Sequence, residues 1–307
     1  MGRMKGWIES VPNFSEGRDQ RVIERIRQAL VAPQGVVLLD KTSDADHNRS
    51  VFTLAGPPDA VGAALLGAAR VAVDLIDLRK HEGVHPRIGA LDVAPLIPLG
   101  GGRKDACIAL ARHLAGELWS QLKLPVYFYG DAALTEARRR LENVRRGQFE
   151  GLRKALPGDA SRLPDVGGPG LHPSAGATAV GVRKLLIAFN MNLETNDVAV
   201  AKEIARDIRE SSGGLPFVKA LGLALPSRKR TQVSMNLTDF EQTPLHTVFE
   251  AVERQAKRLG TSVTSCEIIG LLPRKAMGEA AARFLRIDPA QSHLILENRI
   301  EEWWQRR

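Results

Sequence analysis

From residue 185 to residue 270 short apolar runs and helical stripes alternate in the order β-α-β-β-α-β, and few folds accept that order. Strands are expected at Leu185–Leu193, Lys219–Leu225, Gln232–Leu237 and Val263–Gly270, with helices at Asp197–Glu210 and Pro244–Leu259. Val248, Phe249, Val252, Ala256 and Leu259 recur at helical spacing and give the second helix one apolar side. Both helices of such a split βαβ unit pack on one face of a four-stranded antiparallel sheet, and the other face is left to cover something.

The first half opens in the same way. A short extended stretch, Trp7–Val11, precedes a helix with Val22, Ile23, Ile26, Ala29 and Leu30 on one side and Asp19 as its N-cap. Strands at Gly35–Leu39 and Ser50–Ala55 then flank the polar turn Asp40–Arg49. A helix over Ala60–Asp77, a loop over Arg79–Ala90, a strand over Asp92–Leu99, a helix over Asp105–Leu122, a strand over Val126–Tyr129 and basic helices to Leu156 follow, with a chain break at Gly100–Arg103. Pro157–Gly181 is dense in Gly, Pro and Ala and reads as a loop or inter-domain crossing. The expected fold class is therefore α/β (α+β): two β-α sandwich subdomains, residues 1–180 and 181–307, whose sheets enclose a ligand groove or tunnel.

Composition removes several function classes. The longest apolar run, Ala60–Ile76, is cut by Arg70 and Asp74, so no membrane span is expected. The opening residues MGRMKGWIESVPNF hold no apolar signal core and Gly6 stands where a myristoylation signal wants Ser or Thr, so a cytoplasmic protein is expected. Cys107 and Cys266, two cysteines in apolar surroundings, read as buried free thiols. The net charge of +8 attracts anions. Aromatic residues at 5% are too few for a base-stacking platform, which disfavours nucleic acid despite clusters such as Arg138–Arg140, Arg145–Arg146 and Arg228–Arg230.

Three polar segments exceed what a fold needs. Asp40–Arg49 places Asp40, Asp44, Asp46, His47, Asn48 and Arg49 between two apolar strands, suited either to orienting an imidazole or to a solvated turn. In residues 81–93, HEGVHPRIGALDV, His81 and His85 could share a metal with Asp92 if helical, but Gly83 and Pro86 oppose a helix and no further ligands are evident. As loop residues, a histidine beside Arg87 suits proton transfer, worth roughly 10²- to 10⁴-fold in rate, and a purely structural histidine is the plain alternative. In residues 167–178, GGPGLHPSAGAT, the glycines allow backbone to approach a flat ligand or simply to flex.

Taken together, VPNFSEG (11–17), DHNRSVFTLAGPP (46–58), the residues 81–99, GVRKLLIAFNMNL (181–193), residues 233–250 and IIGLLPRKAM (268–277) resemble the glutamate formimidoyltransferase family along nearly the whole chain. The pattern H-x-G-x-H-P-R-x-G-A-x-D-V is its most specific part. The resemblance implies two α/β subdomains around an electropositive tunnel for folate, tetrahydrofolate as co-substrate with no metal, and a homodimer. It places the catalytic role on His85, not His81, and folate binding on Gly167, Gly168, Pro169, Gly170, Leu171, His172, Pro173, Ser174, Ala175 and Gly176, flanked by matching Pro164, Asp165, Ala177 and Thr178. Where some members carry Asp two residues after the position of Asp40, this chain has Thr42, which leaves Asp44 or Asp46 to partner His85. Members in animals are fused to a cyclodeaminase domain, for which residues 1–307 leave no room.

The implied reaction moves a formimino group from N-formimino-glutamate to N5 of tetrahydrofolate. His85 would act as base and then as acid, with Arg49 and Arg87 as guanidinium candidates for the donor's carboxylates and Asn13 as a hydrogen-bonding one. Formyl transfer between 5-formyltetrahydrofolate and glutamate, and a noncatalytic folate-binding role, are the alternatives.

Overall fold

The computed structural model describes residues 6–99 and 102–277, together with Leu296, Arg299, Ile300 and Trp303. The start of the opening segment (residues 1–5) and the first half of the Gly100–Arg103 break lie outside the described residues. The chain divides into two compact units, residues 1–183 and 184–307.

The first unit holds a mixed seven-stranded sheet. Its strands are Ile8–Ser10 (β1), Asn13–Phe14 (β2), Val37–Asp44 (β3), Arg49–Gly56 (β4), Leu91–Pro98 (β5), Val126–Gly130 (β6) and Thr178–Val182 (β7). β1 and β2 behave as one strand broken at Val11-Pro12, since both pair antiparallel with β4 on one side and β5 on the other. β3 pairs with β4, and β7 pairs in parallel with both β5 and β6. The lateral order is thus β3-β4-β1/β2-β5-β7-β6, a split βαβ core extended by two parallel strands.

Helices Gln20–Val31 (α1), Pro58–Leu75 (α2) and Lys104–Leu122 (α3) cover one face. Ile23, Ile26 and Leu30 of α1, Ala64, Leu65 and Ala68 of α2, and Cys107, Ala111 and Leu118 of α3 meet Phe14, Phe52, Leu54, Leu96, Phe128 and Val180 in one apolar core. Asp19 caps α1 as its sequence position predicts, accepting from the Arg21 amide at 2.8 Å. Short helices Leu141–Val144 (α4) and Gln148–Ala155 (α5) serve the opposite face, where Val144 and Leu152 pack with Val93, Tyr127, Tyr129 and Ala179.

β7 corrects the reading of residues 157–181 as a crossing. Its residues are buried in mid-sheet, and the loop before it closes on itself, His172 and Gly176 exchanging backbone hydrogen bonds of 2.8 and 3.1 Å. The run Thr-Ala-Val-Gly-Val is too short, and too much like its Gly- and Ala-rich surroundings, for composition to separate it. Gly181 serves packing there: a Cβ would lie 2.4 Å from the Tyr129 ring.

The second unit follows the expected order: Ile187–Leu193 (β8), Val198–Ile208 (α6), Val218–Leu225 (β9), Arg230–Leu237 (β10), Leu245–Arg258 (α7) and Val263–Ile269 (β11). The four strands run β11-β8-β10-β9, antiparallel throughout. Phe189, Met191, Val233 and Met235 are buried on the side of α6 and α7, whose Ile204, Val248, Phe249 and Val252 are buried with them. Asn192 and Gln232 alternate with these onto the other face, where they hydrogen-bond at 2.9 Å. Both cysteines are free and buried. No helix among the described residues is long and apolar enough to cross a membrane.

Candidate functional site

The polar residues of the first unit converge where three segments of chain meet: the β1/β2 break, the β3–β4 turn and the connection from α2 to β5. Asp40, Thr42 and Asp44 extend β3 by pairing with Thr53, Val51 and Arg49, so the turn itself is only residues 45–48. Asn48 takes the left-handed conformation that a tight turn needs (φ +46°). Its side chain accepts from the Gly17 amide (2.9 Å) and donates to the Glu82 carbonyl (2.9 Å), tying the turn to the chain after β2 and to the histidine loop.

The histidine loop is laid directly on this turn. A Cβ on Gly83 would stand 2.4 Å from the His47 carbonyl oxygen, so only glycine permits the approach. The Val84 amide donates to the Asp46 carbonyl at 3.1 Å. Arginine can only donate, so the 3.1 Å contact from Arg87 Nε makes His81 Nδ1 an acceptor and leaves Nε2–H to reach the Asn48 carbonyl at 2.9 Å. His81 is thereby a brace within the loop.

Arg87, expected to meet a substrate carboxylate, is buried and bidentate with Glu150 of α5 at 2.7 and 2.8 Å. This hydrogen bond holds Glu150 below the usual carboxylate range. Asp44 holds His47, accepting from its amide and meeting its Nδ1, both at 2.8 Å. Asp46 holds the loop through its carbonyl, which accepts from the Val84 amide.

His85 sits at the centre. Its ring lies against Arg49, whose Nη1 is 2.5 Å from Nδ1 and 2.9 Å from Nε2, and its Nδ1 is also 2.9 Å from the Pro86 carbonyl. Nδ1 thus meets both the guanidinium and the Pro86 carbonyl, and Nε2 meets the guanidinium alone. Burial, followed by the charges of Arg49 and Arg145, drives the His85 pKa well below the ordinary histidine value, so the ring is neutral at physiological pH. The ring of His47 lies 6.1 Å away, centroid to centroid.

Arg49 is largely but not fully withdrawn from solvent, its side chain 18% exposed. Asn13 Oδ1 accepts from its Nε at 2.7 Å and from its Nη2. Desolvation, with the neighbouring Arg145, pulls the Arg49 pKa down to about 9, against the opposing pull of Asp92. Asp92 on β5 accepts from the Ile88 amide at 2.8 Å with one oxygen and from Arg145 Nη2 with the other. A cavity of about 10 Å³, room for one water, is lined by Phe14, Ser15, His47, Asn48, Arg49, His81, His85, Arg87 and Asp92. Asn13, Arg49, His85 and Asp92, all singled out from sequence, thus lie in one cluster; Arg145 joins it from a basic run with nothing local to distinguish it.

The glycine-rich segment forms a second concavity. Gly168, Gly170, Leu171, His172 and Pro173 line a cavity of about 330 Å³ with Trp119 and Lys123 at the end of α3. His172 Nδ1 accepts from the Ala175 amide at 3.0 Å, and partial burial lowers its pKa. Among the described residues no group of three or more His, Cys, Asp and Glu side chains is placed to hold a metal.

Comparison with known families decides the class of this site. Residues 7–183 match the model of the formiminotransferase domain, N-terminal subdomain, and residues 188–301 that of the formiminotransferase domain. The chain belongs to the formiminotransferase family. It is 41% identical over 294 residues to a glutamate formimidoyltransferase of Streptococcus pyogenes, covering 95% of this chain and 98% of that one. With a glutamate formimidoyltransferase of Thermoplasma acidophilum the identity is 39% over 96% of this chain and 97% of the relative. A formimidoyltransferase-cyclodeaminase of Rattus norvegicus is 44% identical over 91% of this chain but is matched over only 52% of its own length. The mixed α/β architecture with two sheets is therefore that of two formiminotransferase subdomains.

Proposed function

We propose that the chain is a glutamate formimidoyltransferase, moving the formimino group of N-formimino-L-glutamate to N5 of tetrahydrofolate, with His85 as the proton-transfer residue. The observation that carries this reading is the His85 imidazole, kept neutral against the Arg49 guanidinium, in a chain of this family. N5 attacks the formimino carbon, and Nε2 takes the N5 proton. The same nitrogen then returns a proton to the glutamate nitrogen as its bond to that carbon breaks, giving 5-formiminotetrahydrofolate and glutamate. One base near neutrality serves both steps.

Arg49 offers its guanidinium to the donor's carboxylates. Asn13 positions Arg49 in the structure and is a candidate to hydrogen-bond the donor once that arginine engages it. Asp92 orients the guanidiniums. Arg87 and Asp44 support the loop and the turn, and Asp46 belongs to the same turn. Residues 167–176 take the folate, the cavity they line with Trp119 suiting a flat ring system. We assign residues 1–183 and 184–307 as the two subdomains and a homodimer as the working assembly.

The test incubates purified protein with tetrahydrofolate and either formimino-glutamate or formyl-glutamate, following folate absorbance and free glutamate. Turnover with the formimino donor is expected. Turnover with the formyl donor alone would replace this reading by formyl transfer, and silence with both would remove the enzyme reading.

A further inference from the structure

Around His85 the charges do not balance. Asp92 is the carboxylate shared by two guanidiniums: Arg145 Nη2 donates to its Oδ2, and Arg49 Nη1 stands 3.9 Å from the same oxygen. Its other oxygen is taken by the Ile88 amide. The remaining partners of Arg49 are neutral, the Asn13 amide oxygen and the His85 ring. Arg145 reaches the cluster from the end of α4, with its side chain only 11% exposed and its Nε buried without a hydrogen-bond partner. Two cations, one anion and a neutral imidazole leave an excess positive charge with little access to water, an arrangement that an added anion would relieve.

The second observation concerns the base itself. Arg49 Nη1 lies across the edge of the His85 ring, 2.5 Å from Nδ1 and 2.9 Å from Nε2, and so covers both ring nitrogens. The cavity beside it admits no more than a water. A ring covered in this way by a guanidinium cannot take the N5 proton until that guanidinium moves.

We propose that Arg145 and Arg49 together form the carboxylate site for the amino-acid donor, and that filling it draws Arg49 off His85 and uncovers the imidazole. The inference rests on the formimino-transfer reading only for the identity of the donor. The ligand chemistry the site selects is an aliphatic carboxylate, which gains two charge-assisted contacts and neutralises the excess. A donor lacking that carboxylate would leave the base capped, so the pair discriminates for glutamate derivatives at the step that arms the catalyst.

The experiment compares wild type, Arg145→Gln and Arg145→Lys. Arg145→Gln is expected to raise KM for formimino-glutamate on the order of 10²-fold, with KM for tetrahydrofolate within about twofold, and Arg145→Lys to fall between. In wild-type protein labelled with ¹⁵N-histidine, saturating glutamate should move the His85 Nε2 resonance as the guanidinium contact is lost, and the same glutamate concentration should not move it in Arg145→Gln. An unchanged donor KM in Arg145→Gln, or an equal rise in both KM values, would overturn the carboxylate site. An Nε2 resonance unmoved by saturating glutamate in the wild type would overturn the uncovering, and this measurement stands even if Arg145→Gln fails to fold. Wild-type protein that binds glutamate through Arg145 yet never turns over the formimino donor would sink the formimino-transfer reading and leave the carboxylate site standing.

Discussion

The two sheets of this chain share a core and differ in what joins its parts. β5, β1/β2, β4 and β3 of the first unit lie in the same lateral sequence as β11, β8, β10 and β9 of the second, each with two helices between corresponding strands. In the second unit, α7 ends at Arg258 and β11 begins at Val263, leaving a tight connection. In the first, α2 ends at Leu75 and β5 begins only at Leu91, and that added chain carries His81, His85 and Arg87. The strand equivalent to β8 is likewise broken at Pro12, which lets Asn13 reach Arg49. A fold that closes its core with a short link can instead close it with a long one at modest cost, since loop entropy grows slowly with length. Chemistry was accommodated in that extra length while the strands kept their register.

The sharpest way to test this division is to remove the one group the added loop exists to present. His85→Ala should lower turnover at least about 10²-fold with folate still bound, checked by steady-state kinetics and by folate binding at equilibrium. Near-normal turnover would strip the loop of its assigned role. Paired glycine substitutions make the contrast between units. Gly83→Ala forces a Cβ onto the His47 carbonyl and should displace the loop, costing about 10- to 100-fold in turnover. Gly222→Ala forces one to within 2.2 Å of the Lys202 amide nitrogen of α6 and should cost about 1–3 kcal/mol of stability, read by denaturant unfolding. Equal effects of the two on activity would dissolve the separation between a catalytic loop and a structural core.

What sequence shows of this arrangement depends on how local each determinant is. The βαββαβ order of the second unit is legible because Phe189 and Met191, or Val248 and Val252, report their face through the next few residues. β7 is not, because its burial comes from β5 and β6 on either side and its own letters resemble a linker. The depth of β3 into the acidic segment is also concealed: Asp40, Thr42 and Asp44 are polar, yet β4 supplies their backbone partners. His85 stands out through the pattern around it. Arg145 meets Asp92 across 53 residues and sits in a basic run that reads as a solvated face, so only the folded chain singles it out.

Acid and base limits offer a comparison within the first sheet. Burial raises Glu9 on β1 to about 7 from its ordinary value of 4.5, opposed by the charge of Arg183, while His85 is displaced downward. For Glu9 the folded form holds its proton longer than the unfolded form, so its contribution to stability is lost as pH rises from about 4.5 through 7. For His85 the unfolded form binds the proton first, so stability is lost as pH falls below about 6.5. Glu9→Gln should therefore recover up to about 3 kcal/mol at pH 8, and His85→Gln should flatten the acid side alone. Unfolding curves between pH 5 and 8 that keep both slopes in both variants would show that neither group sets them.

The smallest expected effect compares equivalent helix starts. Asp19 and Asp197 cap α1 and α6, each accepting from the amide two residues on at 2.8 Å. Asp19 also holds Arg21 Nη2 at 3.2 Å, and its hydrogen bonds with Arg21 lower its pKa below the ordinary carboxylate value. That side-chain pair is open to solvent and contributes little beyond the cap itself. Alanine at either position should lower the unfolding midpoint by a few degrees, with the Asp19 contribution fading as pH falls through its folded pKa. A much larger loss at Asp19 than at Asp197 in 1 M salt, where the Arg21 contact is screened, would mean that the two helix starts are not the same device and that the likeness of the two cores ends at their strands.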